Sequence, residues 1–275
     1  MLYTLQNKNQ KLTIDSFGSQ ILSWSTNNSP IFYISENPKR SGMPIMFPFC
    51  GPLKDGVFIN SGHKIAQHGF ARSVEWNFLD QEGNSKIRFI LKSDSLDPSL
   101  RLAYPYDFQV IFEVELSDFG VKTSLVTTNF GEHKMPICPG FHPYFFVPQR
   151  QKQQLQIYSQ QDSNFYFNAK LLPWETGVEA QFYPNPEIFE ITLPSGKKIK
   201  VSDTSHIVNS NTEMISKKCE LLTVWAGEVA DFVCIEPMTR PFNSINVDPI
   251  LLGKNQEFAL VYDFSLDFYK LNLAG

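Results

Sequence analysis

From Phe108 to Leu116, apolar side chains fall at every second position. Phe108, Val110, Phe112, Val114 and Leu116 alternate with a set that includes Gln109, Glu113 and Glu115. A period of two puts the apolar set on one face of a strand and the polar set on the other, a pattern no helix reproduces. Asp118-Phe119-Gly120 reads as a turn, and Val121, Thr123, Leu125 and Thr127 resume the alternation, so a hairpin is expected here. A second long strand is expected through Phe258, Leu260, Tyr262, Phe264 and Leu266, and shorter ones over 12–14, 20–25, 86–92, 198–201, 221–225 and 232–235. Helical periodicity is confined to two short candidates, 96–102 and 212–217, so strands do not alternate with crossover helices as a parallel α/β sheet requires. The Gln-rich stretch 149–161 reads as a surface loop or irregular strand. The expected fold class is all-β, a large antiparallel sandwich.

Composition agrees. Aromatic residues make up 14% of the 275, 24 of them Phe, and pleated surfaces accept such side chains well. No composition shift or repeat marks a boundary, so residues 1–275 are expected to form a single domain, a size that sandwiches reach. The net charge of −4 argues against a nucleic-acid partner. No apolar run approaches the 18 residues of a membrane span, and residues 1–11 lack the apolar stretch of a secretory signal. Cytoplasmic localisation is therefore expected. Cysteines 50, 138, 219 and 234 show neither Cys-x-x-Cys spacing nor adjacent His pairs, so zinc is not expected and the thiols are expected to be reduced and mostly buried. Phosphate-loop, dinucleotide and Gly-x-Ser-x-Gly signatures are absent too. Any chemistry is expected to use side chains alone, with no cofactor.

Four segments are odd for plain structure: Arg40-Ser-Gly-Met-Pro-Ile-Met-Phe-Pro-Phe; Gln67-His68-Gly-Phe-Ala-Arg72, with Trp76 shortly after; Pro139-Gly-Phe-His142-Pro-Tyr144-Phe-Phe; and Cys234-Ile-Glu236-Pro-Met-Thr-Arg-Pro. Each has an ordinary reading. His68 can be a turn histidine, His142 an edge residue over aromatics, and Arg40 and Arg72 surface ion-pair partners. A Glu ending a Val-Cys-Ile strand is harder to dismiss, because unpaired carboxylates are rarely buried. Taken together, one imidazole and one carboxylate can serve as acid and base near neutral pH. Arg and His would orient a polyhydroxylated substrate, and Trp and Phe would stack on its ring.

In their order, these four motifs resemble the aldose 1-epimerase (galactose mutarotase-like) superfamily from about Gly18 to Phe264. The nearest resemblance is to a bacterial branch of lactose-operon mutarotase-like proteins, with hexose-6-phosphate mutarotases as a neighbouring branch. The resemblance implies the antiparallel galactose-mutarotase-like super-sandwich, with His142 as general acid and Glu236 as general base. It implies His68 as a substrate contact, with Arg72, Arg40, Gln67 and Tyr144 around it. The implied partner is a small-molecule sugar or sugar phosphate, and the chain a monomer or homodimer. In the phosphate reading, Arg40 and Arg72 form a clamp and Lys54 assists; a non-catalytic sugar binder of the same fold remains a third reading. The chain departs from the family at Pro52, where many relatives have Arg, and in Ser41-Gly42, where Gly-Gly is commoner. The sugar-contacting Asp of galactose-specific members has no clear counterpart, Asp203 being a weak candidate.

Overall fold

The computed structural model describes residues 1–37, 40–163, 165–208 and 213–266. The hairpin forms over strands Phe108–Leu116 and Gly120–Asn129, paired from Phe108↔Asn129 to Leu116↔Val121. Burial along Phe108–Leu116 alternates without a break. The return strand starts at Gly120 itself, so the turn lies one residue earlier than the sequence suggested, over 117–119. Gly120 has φ +155°, and a Cβ there would stand 1.9 Å from Phe264 O. Only a glycine lets the strand Glu257–Leu266 pair so closely beside it.

This hairpin is the middle of a ten-stranded antiparallel sheet. Its order is Gln156–Tyr158, Ile188–Thr192, Lys198–Asp203, Glu257–Leu266, Gly120–Asn129, Phe108–Leu116, Lys86–Lys92 and Asn77–Glu82, with His206–Val208 and Met214–Ser216 attached. A six-stranded sheet runs Val178–Pro184, Leu221–Ala226, Phe232–Met238, Gly140–Phe141 and Ile45–Met46, with Tyr144–Phe146 also on Phe232–Met238. A four-stranded meander spans Leu2–Gln6, Gln10–Asp15, Gln20–Thr26 and Ser29–Pro30. One cluster of buried apolar side chains draws on all three, including Phe112 and Leu260, Val233 and Ile235, and Leu12 and Trp24. Ring contacts join the layers: Phe112 lies 6.0 Å from Phe141, and Trp24 lies 6.3 Å from Phe264. Burying each such ring contributes roughly 1.5–3 kcal/mol. The fold is the antiparallel all-β sandwich the alternation called for.

Of the two helix candidates, the first is real. Pro98–Ala103 is helical, with Pro at its start and the Asp97 carboxylate accepting Ser99 N–H at 2.8 Å as the N-cap. The second is not: Met214–Ser216 is a strand paired with His206–Val208, because the neighbouring backbone supplies a ladder; Thr212 lies outside the described residues. The Gln-rich stretch opens as a 3-10 helix, Gln149–Gln154, and continues as the edge strand Gln156–Tyr158. Among the described residues, no helix is long and apolar enough to cross a membrane.

Candidate active site

The strand Phe232–Met238 is buried along its whole length. Val233 and Ile235 enter the main core, while Phe232, Cys234, Glu236 and Met238 occupy the opposite face. That alternation delivers Glu236 to a cleft of about 750 Å³. His142 reaches the same cleft from the turn between Gly140–Phe141 and Tyr144–Phe146, its N–H held by Pro44 O at 3.0 Å. Gly140 makes this approach possible: a Cβ there would meet Cys50 Sγ at 2.5 Å and Pro237 O at 2.7 Å. His142 Nε2 stands 3.5 Å from Glu236 Oε1. The His142 ring stacks on Tyr144 at 4.7 Å with 6° between planes, and meets the edge of Trp225 at 5.9 Å.

His68 is placed by backbone conformation. It has φ +66° and is followed by Gly69 at φ +74°, where a Cβ would fall 2.0 Å from Phe47 O. His68 N–H donates to Gly51 O at 2.9 Å, and Gly51 N–H donates back to His68 Nδ1 at 3.0 Å. With Nδ1 an acceptor, the ring proton belongs on Nε2; the Gln67 side-chain amide 3.1 Å away pairs with it only by presenting its oxygen, since its NH₂ and the ring N–H are both donors. His68 and His142 meet edge to face at 5.2 Å. Arg72 donates to Gln67 O at 3.2 Å, and Arg40 pairs with Glu228 at the rim.

All seven residues singled out from the sequence line this one cleft: His142, Glu236, His68, Arg72, Arg40, Gln67 and Tyr144. Three lesser candidates do not. Asp203 is buried elsewhere, accepting Ser205 N–H at 2.9 Å and Cys219 N–H at 2.6 Å, so its carboxylate ties a loop together. Trp76 is buried in the core, its indole N–H on Ala71 O, and Lys54 sits outside the lining. The cleft instead recruits Trp225, Phe242 and Glu179. Trp225 lies in an expected strand, but the sequence left open which face would meet the cleft; Phe242 and Glu179 carried no motif.

Burial dominates the electrostatics. It drives the Glu236 carboxyl up to about 8 despite Arg72, whose charge pulls it down. It drives His68 down to about 3, with Arg72 adding to the effect. His142 is pushed well below the usual imidazole range by burial, then by His68 and Arg72. In neutral solution the pair therefore holds one proton, on the carboxyl. One atom each from His142, Cys234 and Glu236, all buried, also lie within 4.8 Å of one another.

The chain matches the aldose 1-epimerase family over residues 1–212. It belongs to that family. The match includes His68 and His142 and stops short of Glu236. Solved structures share the fold. The Slr1438 protein of Synechocystis sp. PCC 6803 is 22% identical, with 97% of this chain and 96% of that one covered and a TM-score of 0.79. A galactose mutarotase-like protein from Lactobacillus casei ATCC 334 is 17% identical, with 97% and 100% covered and a TM-score of 0.74. Galactose 1-epimerase from Lactobacillus acidophilus NCFM is 13% identical, with 97% and 94% covered and a TM-score of 0.69.

Proposed function

We propose that this chain is a mutarotase, interconverting the α and β anomers of a hexose by acid–base ring opening, and that its residues act as one domain. The observation that carries the reading is the buried His142–Glu236 pair, 3.5 Å apart on the wall of an open cleft. Opening a hemiacetal ring puts a proton on the ring oxygen and takes one from the anomeric hydroxyl. Rotation about C1–C2 and the reverse transfers close the ring on its other face. The pair needs one proton between its two members, and one is what burial leaves it. Protonated His142 supplies the ring oxygen, and ionised Glu236 accepts from the anomeric hydroxyl. Each such transfer contributes roughly 10²–10⁴-fold.

Before sugar binds, that proton sits on Glu236, so the bound sugar must help move it to His142. Sugar hydroxyls donating to the carboxylate would stabilise its ionised form, in the direction Arg72 already favours. The titration directions equally suit an exchange of roles, with Glu236 as acid and His142 as base. Proton NMR of His142 with a bound 1-deoxy hexose, which cannot react, separates the two: a charged imidazole supports the first assignment and a neutral one the second. His68 Nε2–H and Gln67 are placed to hold hydroxyls, and Trp225 and Phe242 to face the apolar side of the ring.

Arg40 and Arg72 lining the same cleft supports a second reading, a hexose 6-phosphate substrate, since guanidinium forks suit phosphate. Against it, Arg40 is already engaged by Glu228. The deciding experiment follows pure anomers of free and 6-phosphorylated hexoses by polarimetry. Acceleration of the free sugar supports our reading, and acceleration confined to the phosphate supports the second. Calorimetric sugar binding with no acceleration of either would leave a binding protein of this fold.

A further inference from the structure

We propose that His142, Cys234 and Glu236 form a three-ligand site for a thiophilic divalent cation such as zinc or cadmium, and that filling it blocks the cleft's acid–base pair. The linear spacing of the cysteines conceals this site, because its ligands come from two segments almost a hundred residues apart. Cys234 and Glu236 are alternate residues of one strand and share its cleft-side face; Tyr144, two residues after His142, pairs with Cys234 across the ladder. The strand pairing thus sets all three groups around one point.

The geometry suits a tetrahedral ion. Bonds of about 2.0–2.3 Å to N, O and S place neighbouring ligand atoms about 3.3–3.7 Å apart. His142 Nε2 and Glu236 Oε1 already stand at 3.5 Å, and the three ligand atoms lie within 4.8 Å of one another. A shift of about 1 Å closes the set. His142 and Glu236 line the cleft, which leaves the fourth position facing it. The mixed imidazole, thiolate and carboxylate set is one that zinc accepts.

Charge balance removes the usual objection to burying an ion. The Cys234 thiol and the Glu236 carboxyl each carry a proton that a cation displaces when it binds them. Coordination releases both: thiol, carboxyl and M²⁺ become thiolate, carboxylate and bound cation plus two H⁺. The net charge of the site does not change. Arg72 and His68 face His142, and Arg72 also faces Glu236, while Lys152, Arg40 and Glu228 face Cys234. Of these, Arg72 and Lys152 oppose a cation, and Glu228 partners Arg40.

The binding arm of the test is independent of the proposed activity; the inhibition arm rests on it. The full chain, stripped of metal, is titrated with Cd²⁺ alone while thiolate-to-cadmium absorption and heat are followed. We expect one equivalent to bind with the absorption band. Affinity should rise with pH, because the ion competes with protons for its ligands. Cys234→Ser and Cys234→Ala should lose the band and at least tenfold in affinity, and His142→Asn should lose affinity but keep the band. Zn²⁺ should stop mutarotation of the wild type, while both Cys234 variants should continue to turn over. Absence of the band overturns the site, as does a band surviving in both Cys234 variants, which would assign it to Cys50, Cys138 or Cys219. Cadmium binding by a chain that accelerates no anomer would overturn the proposed function and leave the site standing.

Discussion

Glu236 Oε1 and His142 Nε2 face each other across 3.5 Å, with their residues only 3% and 5% exposed. Burial acts on the two in opposite directions, raising the carboxyl and lowering the imidazole. Neither group is easily charged alone, so the pair rests neutral, with its one proton on the carboxyl. The Tyr144 and Trp225 rings pack against the His142 side of the pair.

The pH profile should report the pair as a unit. Mutarotation should be flat where the pair holds one proton. It should fall about tenfold per pH unit above a midpoint near 8, where the raised Glu236 value places loss of that proton. A lower limb should appear below the ordinary imidazole range, where the pair takes a second proton. Arg72 lowers both groups, so Arg72→Met should move both limbs to higher pH. Polarimetric rates from pH 4 to 10 check this; unmoved limbs would remove Arg72 from the pair's electrostatics.

Replacing Glu236 should separate activity from stability. Glu236→Gln and His142→Asn should each lose roughly 10²–10⁴-fold in rate. Glu236 is raised on folding, from the ordinary 4.5 to about 8. Its stabilising contribution is therefore fully present below 4.5 and is lost as pH rises through 8. Glu236→Gln should match the wild type in melting temperature near pH 4, exceed it increasingly up to about pH 8, and keep that advantage above. Each kcal/mol relieved shifts the midpoint by about 2–4 °C in a chain of this size or somewhat smaller. Calorimetry at three pH values checks the sign.

Much of the lining of this cleft is legible in the sequence. The Phe108–Leu116 alternation fixed the fold class because burial on one face leaves a period of two in the chain. His142 and Glu236 stood out because a His-Pro turn and a Glu closing an apolar strand are poor choices for structure alone. Asp203 misled because a buried carboxylate satisfied by backbone N–H groups looks, in sequence, like one waiting for a ligand. Trp225, Phe242 and Glu179 were invisible as site residues because their place depends on how Val178–Pro184, Leu221–Ala226 and the turn near Asn243 pack together, which no local pattern encodes. The same holds for Cys234, whose nearness to His142 exists only through the Tyr144–Cys234 pairing.

His68 should act mainly on substrate binding. Burial holds it near 3, so it is neutral at any working pH and serves as an Nε2–H donor. Its stability contribution is lost as pH falls from the ordinary imidazole value toward 3, because the folded ring resists the proton the unfolded chain accepts. His68→Ala should raise KM with a smaller effect on kcat. It should also destabilise the chain by about 1–3 kcal/mol, because Gly51 N–H loses its acceptor. An equal fall in kcat and kcat/KM would instead place His68 among the proton-transfer groups.

Gly69 tests whether the fold dictates the site through backbone shape. Its φ of +74° disfavours any side chain, and a Cβ would meet Phe47 O at 2.0 Å, against backbone that cannot swing aside. Gly69→Ala must therefore push apart the segment carrying His68 and the strand-like run through Phe47, whose carbonyl accepts Phe70 N–H at 3.0 Å. Strain of this kind costs on the order of 1–3 kcal/mol. Because His68 precedes the displaced residue, activity should fall further than stability alone explains. Gly56→Ala provides the control: its φ is +70°, yet no atom lies within 4 Å of the added Cβ. It should therefore lose stability from backbone strain while keeping mutarotase activity. If the two variants lose activity equally, the close approach at Phe47 does not position His68.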